Sequence, residues 1–158
     1  MKRTPPGVTH RCVIQDDAWP CLDFVARAEA ALAERPDKIV CFFVPGIAAA
    51  GGKRVREARF KGEPWVQIGG IAITPLVATA WPGHLIEPFV EFAESSRIQA
   101  RYTHDDPVST LFVKKHKLEV WATVPSLVQH LDVTPSLIGR SHQAGKNRKR
   151  VAEFFLEE

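Results

Sequence analysis

Residues 39–44 read Ile-Val-Cys-Phe-Phe-Val, six apolar side chains in succession, closed off by Pro36-Asp37 before them and Pro45 after them. A strand with one wet face alternates apolar and polar residues. An unbroken apolar run is what a central strand needs when both of its faces are covered. This segment therefore calls for a sheet with layers on both sides. The rest of the chain supplies them, because short apolar runs alternate with stretches of helical spacing, an α/β pattern. A length of 158 residues suits about one domain. No repeat, low-complexity stretch or linker divides it, so residues 1–158 are expected to form a single domain that includes the basic segment 139–150.

The other elements follow from local signals. Residues 10–15 carry Cys12, Val13 and Ile14 and read as a short buried strand that ends at Asp16-Asp17, where Pro20 bars simple continuation of a sheet. Asp23 is a fitting N-cap for a helix whose inner face holds Phe24, Ala28, Ala31 and Leu32. Pro36-Asp37 stops that helix. The stretch 45–52, Pro-Gly-Ile-Ala-Ala-Ala-Gly-Gly, has few side-chain anchors and is expected to be a mobile loop. Residues 65–73 and 76–80 read as two short strands around Pro75, followed by a short helix with Phe89, Val90 and Phe92. Asp106 before Pro107 predicts another helix start, since proline suits the first helical position and a carboxylate caps free N–H groups. Val108, Leu111 and Phe112 give its buried face, and Lys114, Lys115, His116 and Lys117 stand at the negative end of its dipole. Residues 118–124 form a last strand, and Val124–His130 leads off it.

Composition excludes several classes. With 45% apolar and 25% charged residues, the chain is not a disordered tail, a collagen-like repeat or a mucin-like stalk. No apolar run reaches the roughly 18 residues a membrane span needs, and no apolar stretch follows the basic residues of the N-terminus, so neither a membrane partner nor a secretory signal is expected. Cys12, Cys21 and Cys41 lack metal-ligand spacing and read as reduced thiols of a cytoplasmic protein. The net charge of +3 is mild, but residues 140–150 hold Arg140, Lys146, Arg148, Lys149 and Arg150 without an acid. Such a block is either a solvated surface or an anion site.

Four groups are candidates for chemistry. Asp16-Asp17 stands at the end of a strand, where ligands of open α/β sheets gather. Two adjacent carboxylates there suit a hard divalent cation such as magnesium or manganese, although aspartates also favour plain turns. Asp105 and Asp106 form a second acidic pair, in which Asp106 either caps its helix only or caps it and also serves as a base. His130 follows a strand and gains meaning only beside Asp17. The basic tail offers Arg forks and Lys charges to phosphate oxygens. The chain lacks the phosphate-loop, dinucleotide-fold, nucleophile-elbow and zinc-protease motifs. Cys41 has no evident base, which argues against a cysteine nucleophile.

Taken together, these segments resemble a family. Val13-Ile14-Gln15-Asp16-Asp17-Ala18-Trp19-Pro20-Cys21 is similar to the strand, acidic pair and proline of GT-A-fold glycosyltransferases, and most similar to the small glycosyltransferase-like proteins of actinobacterial bacteriophages. Trp121–His130 resembles their W-x-T-V-P-S-L-V-x-H pattern, and Ser136-Leu137-Ile138-Gly139-Arg140 the piece that follows it. The likeness runs from about Thr9 to Phe155 and is weak between residues 46 and 63.

The resemblance implies an α/β, GT-A-like mixed sheet flanked by helices. It implies a hexosyl transfer from a nucleotide-sugar donor to a hydroxyl acceptor, with modified phage DNA or a glycan as the acceptor, in the cytoplasm of the host if the protein is phage-encoded. It implies a divalent metal, Mn2+ or Mg2+, held by Asp17 and His130. Gln15 stands where the usual Asp-x-Asp triplet begins, which leaves Asp16 to the ribose or the sugar. Asp105 or Asp106 falls at the acid that deprotonates the acceptor, and Arg140, Lys146 and Arg148 would face the diphosphate. Full GT-A domains open with a βαβ half that binds the nucleotide base, whereas only fifteen residues precede Asp16 here. Much of that half is therefore expected to be missing, leaving an open sheet edge to be covered by a second copy or a partner chain. The alternative is a non-catalytic GT-A-like binding or structural protein, or one half of a split enzyme.

Overall fold

The computed structural model describes residues 7–46, 50–68, 76–95, 98, 105–130 and 151–156, the side chains of Ala50, Asp105 and Asp106 excepted. Its centre is β3, Ile39–Cys41, inside the apolar run that called for it. Around it stand β1 (His10–Ile14), β4 (Trp65–Gln67), β5 (Ala78–Pro82) and β6 (Val120–Thr123), in the order β1-β5-β3-β6-β4. The sheet is mixed: β3 runs parallel to β6, and the other neighbours are antiparallel. A second sheet pairs β2 (Ala18–Pro20) with β7 (Val128–His130).

Side-chain alternation along β3 divides the core in two. Ile39 and Cys41 point to one face, where they join Val55, Ala58, Trp81, Phe112, Val113, Val120 and Ala122. That face is covered by α2 (Ala50–Lys61), α3 (Gly83–Glu94) and α4 (Asp105–His116). Phe112 is its hub, with the rings of Phe89, Phe92 and His116 centred 5.3, 5.5 and 4.5 Å away. Val40 and Phe42 point the other way and meet Ala28 and Ala31 of α1 (Phe24–Glu34), together with Ala78, Ala80 and Val128. Phe24 packs edge-on against Phe42 at 5.4 Å. The result is a mixed sheet between one helix and three.

Several elements differ from their sequence-based expectation. The strand expected to be buried, β1, lies at the edge of the sheet, with Cys12, Val13 and Ile14 exposed. Three apolar residues in a row are equally compatible with a covered strand and with an edge awaiting a partner. Asp23 occupies the cap position of α1, but its backbone is left-handed (φ 56°) and its side chain makes no capping bond. The stretch 45–52 is not loop throughout, because Ala50, Gly51 and Gly52 begin α2. The helix comes close to the central run there: a Cβ at Gly51 would lie 3.3 Å from the Val44 Cγ1 and would ask that side chain to shift by a few tenths of an ångström. The last helix begins at Asp105, which places Asp106 and Pro107 within its first turn instead of at a cap. A missing proline N–H removes no helical bond at that point. Residues 69–75, expected to complete two strands, lie outside the described residues.

Candidate functional site

The site begins where β1 ends. Gln15 N–H donates to Val77 O (2.9 Å) and Ala18 N–H to Gln15 O (3.2 Å), so the chain turns at Asp16-Asp17 and leaves the main sheet for β2. The turn explains why Pro20 is tolerated, since it closes a three-residue strand in a two-stranded ribbon. The partner strand β7 is set by the central run. Phe42 O accepts from both Leu127 N–H (2.9 Å) and Val128 N–H (3.1 Å), and Cys21 N–H donates to Leu127 O (2.9 Å). The resulting antiparallel register places Ala18 opposite His130.

That register brings two of the candidate residues together. His130 Nε2 and Asp17 Oδ2 stand 3.0 Å apart. The imidazole is only 8% exposed and the carboxylate 35%. Asp17 Oδ1 and His130 Nδ1 are both buried and have no hydrogen-bond partner among the described residues. The free carboxylate oxygen can accept a cation or a donor. The ring packs beside Phe43, with centroids 6.1 Å apart, which fixes its apolar side. Asp16 is exposed at the same turn.

A strap from the C-terminal region braces the site from behind. Ala152 N–H donates to Gln129 Oε1 (2.6 Å), and the same oxygen accepts from His130 N–H (3.0 Å). Gly46 N–H donates to Val151 O, Glu153 N–H to Val44 O and Leu156 N–H to Ser126 O. Glu153 also pairs with Arg56 at 2.8 Å, tying the strap to α2. The strap lies close to Gly46: a Cβ there would stand 3.3 Å from the Glu153 Cα, a tight contact with backbone. The chain thus leaves the ribbon at His130 and returns at Val151 beside Gln129.

The remaining candidates are not placed at the site. Asp105 and Asp106 are in the first turn of α4, and their side chains lie outside the described residues. Arg140, Lys146 and Arg148 also lie outside them. Among the described residues, no group of three or more His, Cys, Asp or Glu is arranged to hold a metal; Asp17 and His130 meet as a pair. A carboxylate oxygen beside an imidazole nitrogen is a mixed donor pair, closer to what a first-row transition ion such as manganese accepts than to the all-oxygen shell of magnesium. Cys41 is an inert core thiol, contacting Thr79 Oγ1 at 3.6 Å and pushed up to about 12 by burial.

Sequence reasoning overlooked three features. Gln129 holds the strap, Phe43 walls the imidazole, and Arg35 lies between two tryptophans, 4.9 Å from the Trp65 ring and 4.8 Å from the Trp121 ring. Trp65 Nε1–H also donates to Glu34 Oε2 (2.8 Å). The contacts of Arg35 pin the end of α1 to β4 and β6. All of these pairings are long-range, and no periodicity within a short window reveals them. Comparison with protein families, with curated proteins and with solved structures finds no match. Among the described residues, no helix is long and apolar enough to cross a membrane.

Proposed function

We propose that this chain is a metal-dependent glycosyltransferase that moves a sugar from a nucleotide-sugar donor to a hydroxyl acceptor. The observation that carries the reading is the contact between Asp17 and His130, two residues far apart in the chain. Their 3.0 Å spacing suits neighbouring ligands of one octahedral cation, which with bonds of about 2.1 Å sets them about 3 Å apart. Asp17 Oδ1, unpartnered among the described residues, leaves a second carboxylate oxygen available. A bound manganese or magnesium ion would act as a Lewis acid on the departing nucleoside diphosphate.

The chain's own residues divide the remaining work. Asp17 and His130 hold the cation, and exposed Asp16 beside them contacts the ribose or the sugar. Arg140, Lys146 and Arg148 would neutralise the diphosphate. In support, both ends of the stretch that carries them are anchored at the site, at His130 and at Val151–Ala152. Asp105 or Asp106 would take the proton of the acceptor hydroxyl, which requires a carboxylate free at neutral pH. The basic residues also keep DNA among the acceptors, and phosphate contacts would make such binding salt-sensitive.

Calorimetric titration with UDP-sugars tests the proposal. Wild-type protein is expected to bind them only with manganese present, and Asp17→Asn to lose that binding while folding normally. Equal affinity for the two proteins rejects the metal role. The exposed edge of β1 favours a second reading, a docking protein of the same lineage without catalysis. Wild-type protein that binds no nucleotide-sugar with or without metal would favour that reading.

A further inference from the structure

The outer face of α2 carries groups that the site does not use. Val55 and Ala58 are buried against the sheet. Phe60, two positions on from Ala58, lies about 200° around the helix axis and is 94% exposed. It is the only exposed large hydrophobic residue among the described residues of α2. Lys53 and Arg56 precede it by seven and four residues, which sets all three on one stripe. The helix holds five bases, Lys53, Arg54, Arg56, Arg59 and Lys61, against one acid, Glu57. Glu57 stands 3.7 Å from Lys53, and Glu153 stands 2.8 Å from Arg56. Both bases stay exposed, and exposed pairs of this kind are weak. Arg54 donates to Gln67 O (2.8 Å), and the Arg59 guanidinium lies 3.7 Å from the centre of the Phe154 ring. These contacts fix the two side chains without neutralising them. Among the described residues, no acid forms an ion pair with Arg54, Arg59 or Lys61.

A face of this kind suits a polyanion. The same face of a second copy would set bases against bases. A lipid surface calls for a wide apolar stripe, and α2 offers outward one ring only, since Val55 and Ala58 are spent in the core. An unpaired nucleotide chain matches both features. Its phosphates take lysine and arginine, and its bases stack on an aromatic face. A duplex keeps its bases stacked on one another and has no use for the ring. We propose that the outer face of α2 binds single-stranded nucleic acid, with one base stacked on Phe60 and with Lys53, Arg56 and Lys61 on the neighbouring phosphates. This surface is separate from sugar transfer and requires neither donor nor metal.

Fluorescence anisotropy of a labelled oligothymidylate, read over a series of salt concentrations without metal or sugar donor, tests the surface. Wild-type protein should bind it with an affinity that falls steeply as salt rises. Phe60→Ala should weaken binding by between about fivefold and a hundredfold, the loss of one stacked base, with an unchanged salt slope and an unchanged Tm. Lys53→Gln and Lys61→Gln should each lower the logarithmic salt slope by about 0.7, the share of one phosphate on a single strand. Binding of duplex DNA should be indifferent to Phe60→Ala. An oligouridylate that responds to the same variants supports the surface equally and adds RNA to what it holds. No oligothymidylate binding at low salt overturns the proposal. So does binding that Phe60→Ala, or both lysine variants, leave unchanged, because the contact would then rest on charge alone or lie elsewhere. Polyglutamate held as tightly as the oligonucleotide overturns it as well. So does attachment to phosphatidylserine vesicles that Phe60→Ala abolishes while no oligonucleotide binds, which would give the face to a lipid surface.

Discussion

Thermal unfolding with and without manganese separates a metal site from a plain hydrogen-bonded pair. In metal-free protein, His130 Nε2–H donates to Asp17 Oδ2 at 3.0 Å. An asparagine amide at this position would keep an acceptor for that bond and lose only the charge. Bonds to charged groups contribute about 1.5–3 kcal/mol and neutral ones about 0.5–1.5, so Asp17→Asn is expected to cost about 1 kcal/mol. For a chain of 158 residues, that lowers Tm by about 2–4 °C. The metal response is larger. A ligand at a hundred times its Kd adds about 2.7 kcal/mol to the stability of the form that binds it. Wild-type Tm should therefore rise by about 5–11 °C at that level of manganese. Asp17→Asn should show little or no rise, because the anionic oxygen is gone. His130→Ala should lose the rise too, and should also lose more stability without metal, since it empties a site that is 8% exposed. Scanning calorimetry or circular dichroism reads all three proteins. No rise in the wild type at millimolar manganese, or equal rises in wild type and Asp17→Asn, would refute the assignment of the pair to a cation.

Two further outcomes test the fold that carries the site. Phe112→Ala removes a fully buried ring at the meeting point of α3, α4 and the sheet and should cost about 3–5 kcal/mol, read as a lower urea midpoint at unchanged slope. Cys41 is 3% exposed and burial pushes its thiol to about 12. Below the unfolded thiol value near 9, both states keep the proton and the stabilisation is complete. Above it, the unfolded chain ionises first, so stability should fall between about pH 9 and pH 12 by up to about 1.4 kcal/mol per unit. A Cys41→Ala variant should show a flatter alkaline profile, and matching profiles for the two proteins would count against the buried thiol as the cause.

What the sequence disclosed depended on how local each signal was. The unbroken run at 39–44 identified the middle strand, because burial on both faces leaves a mark on consecutive residues. The faces of α1 and α4 were readable for the same reason: Ala28 and Ala31, and Val108 and Phe112, sit at helical spacing and are buried. The edge position of β1 was not readable, since Cys12-Val13-Ile14 is as apolar as a covered strand and its exposure depends on what lies beside β5. The helix over Ala50–Lys61 was hidden by the Gly51-Gly52 pair in its first turn, since glycine is a poor helix former and reads as loop. At the site, Asp17 and His130 were legible as chemical types. Their meeting depends on the β2–β7 register, which hangs on backbone bonds to Phe42 and on a strap more than twenty residues further along. Gln129 was unreadable as an anchor because its partner is a backbone N–H, which leaves no trace in side-chain identity.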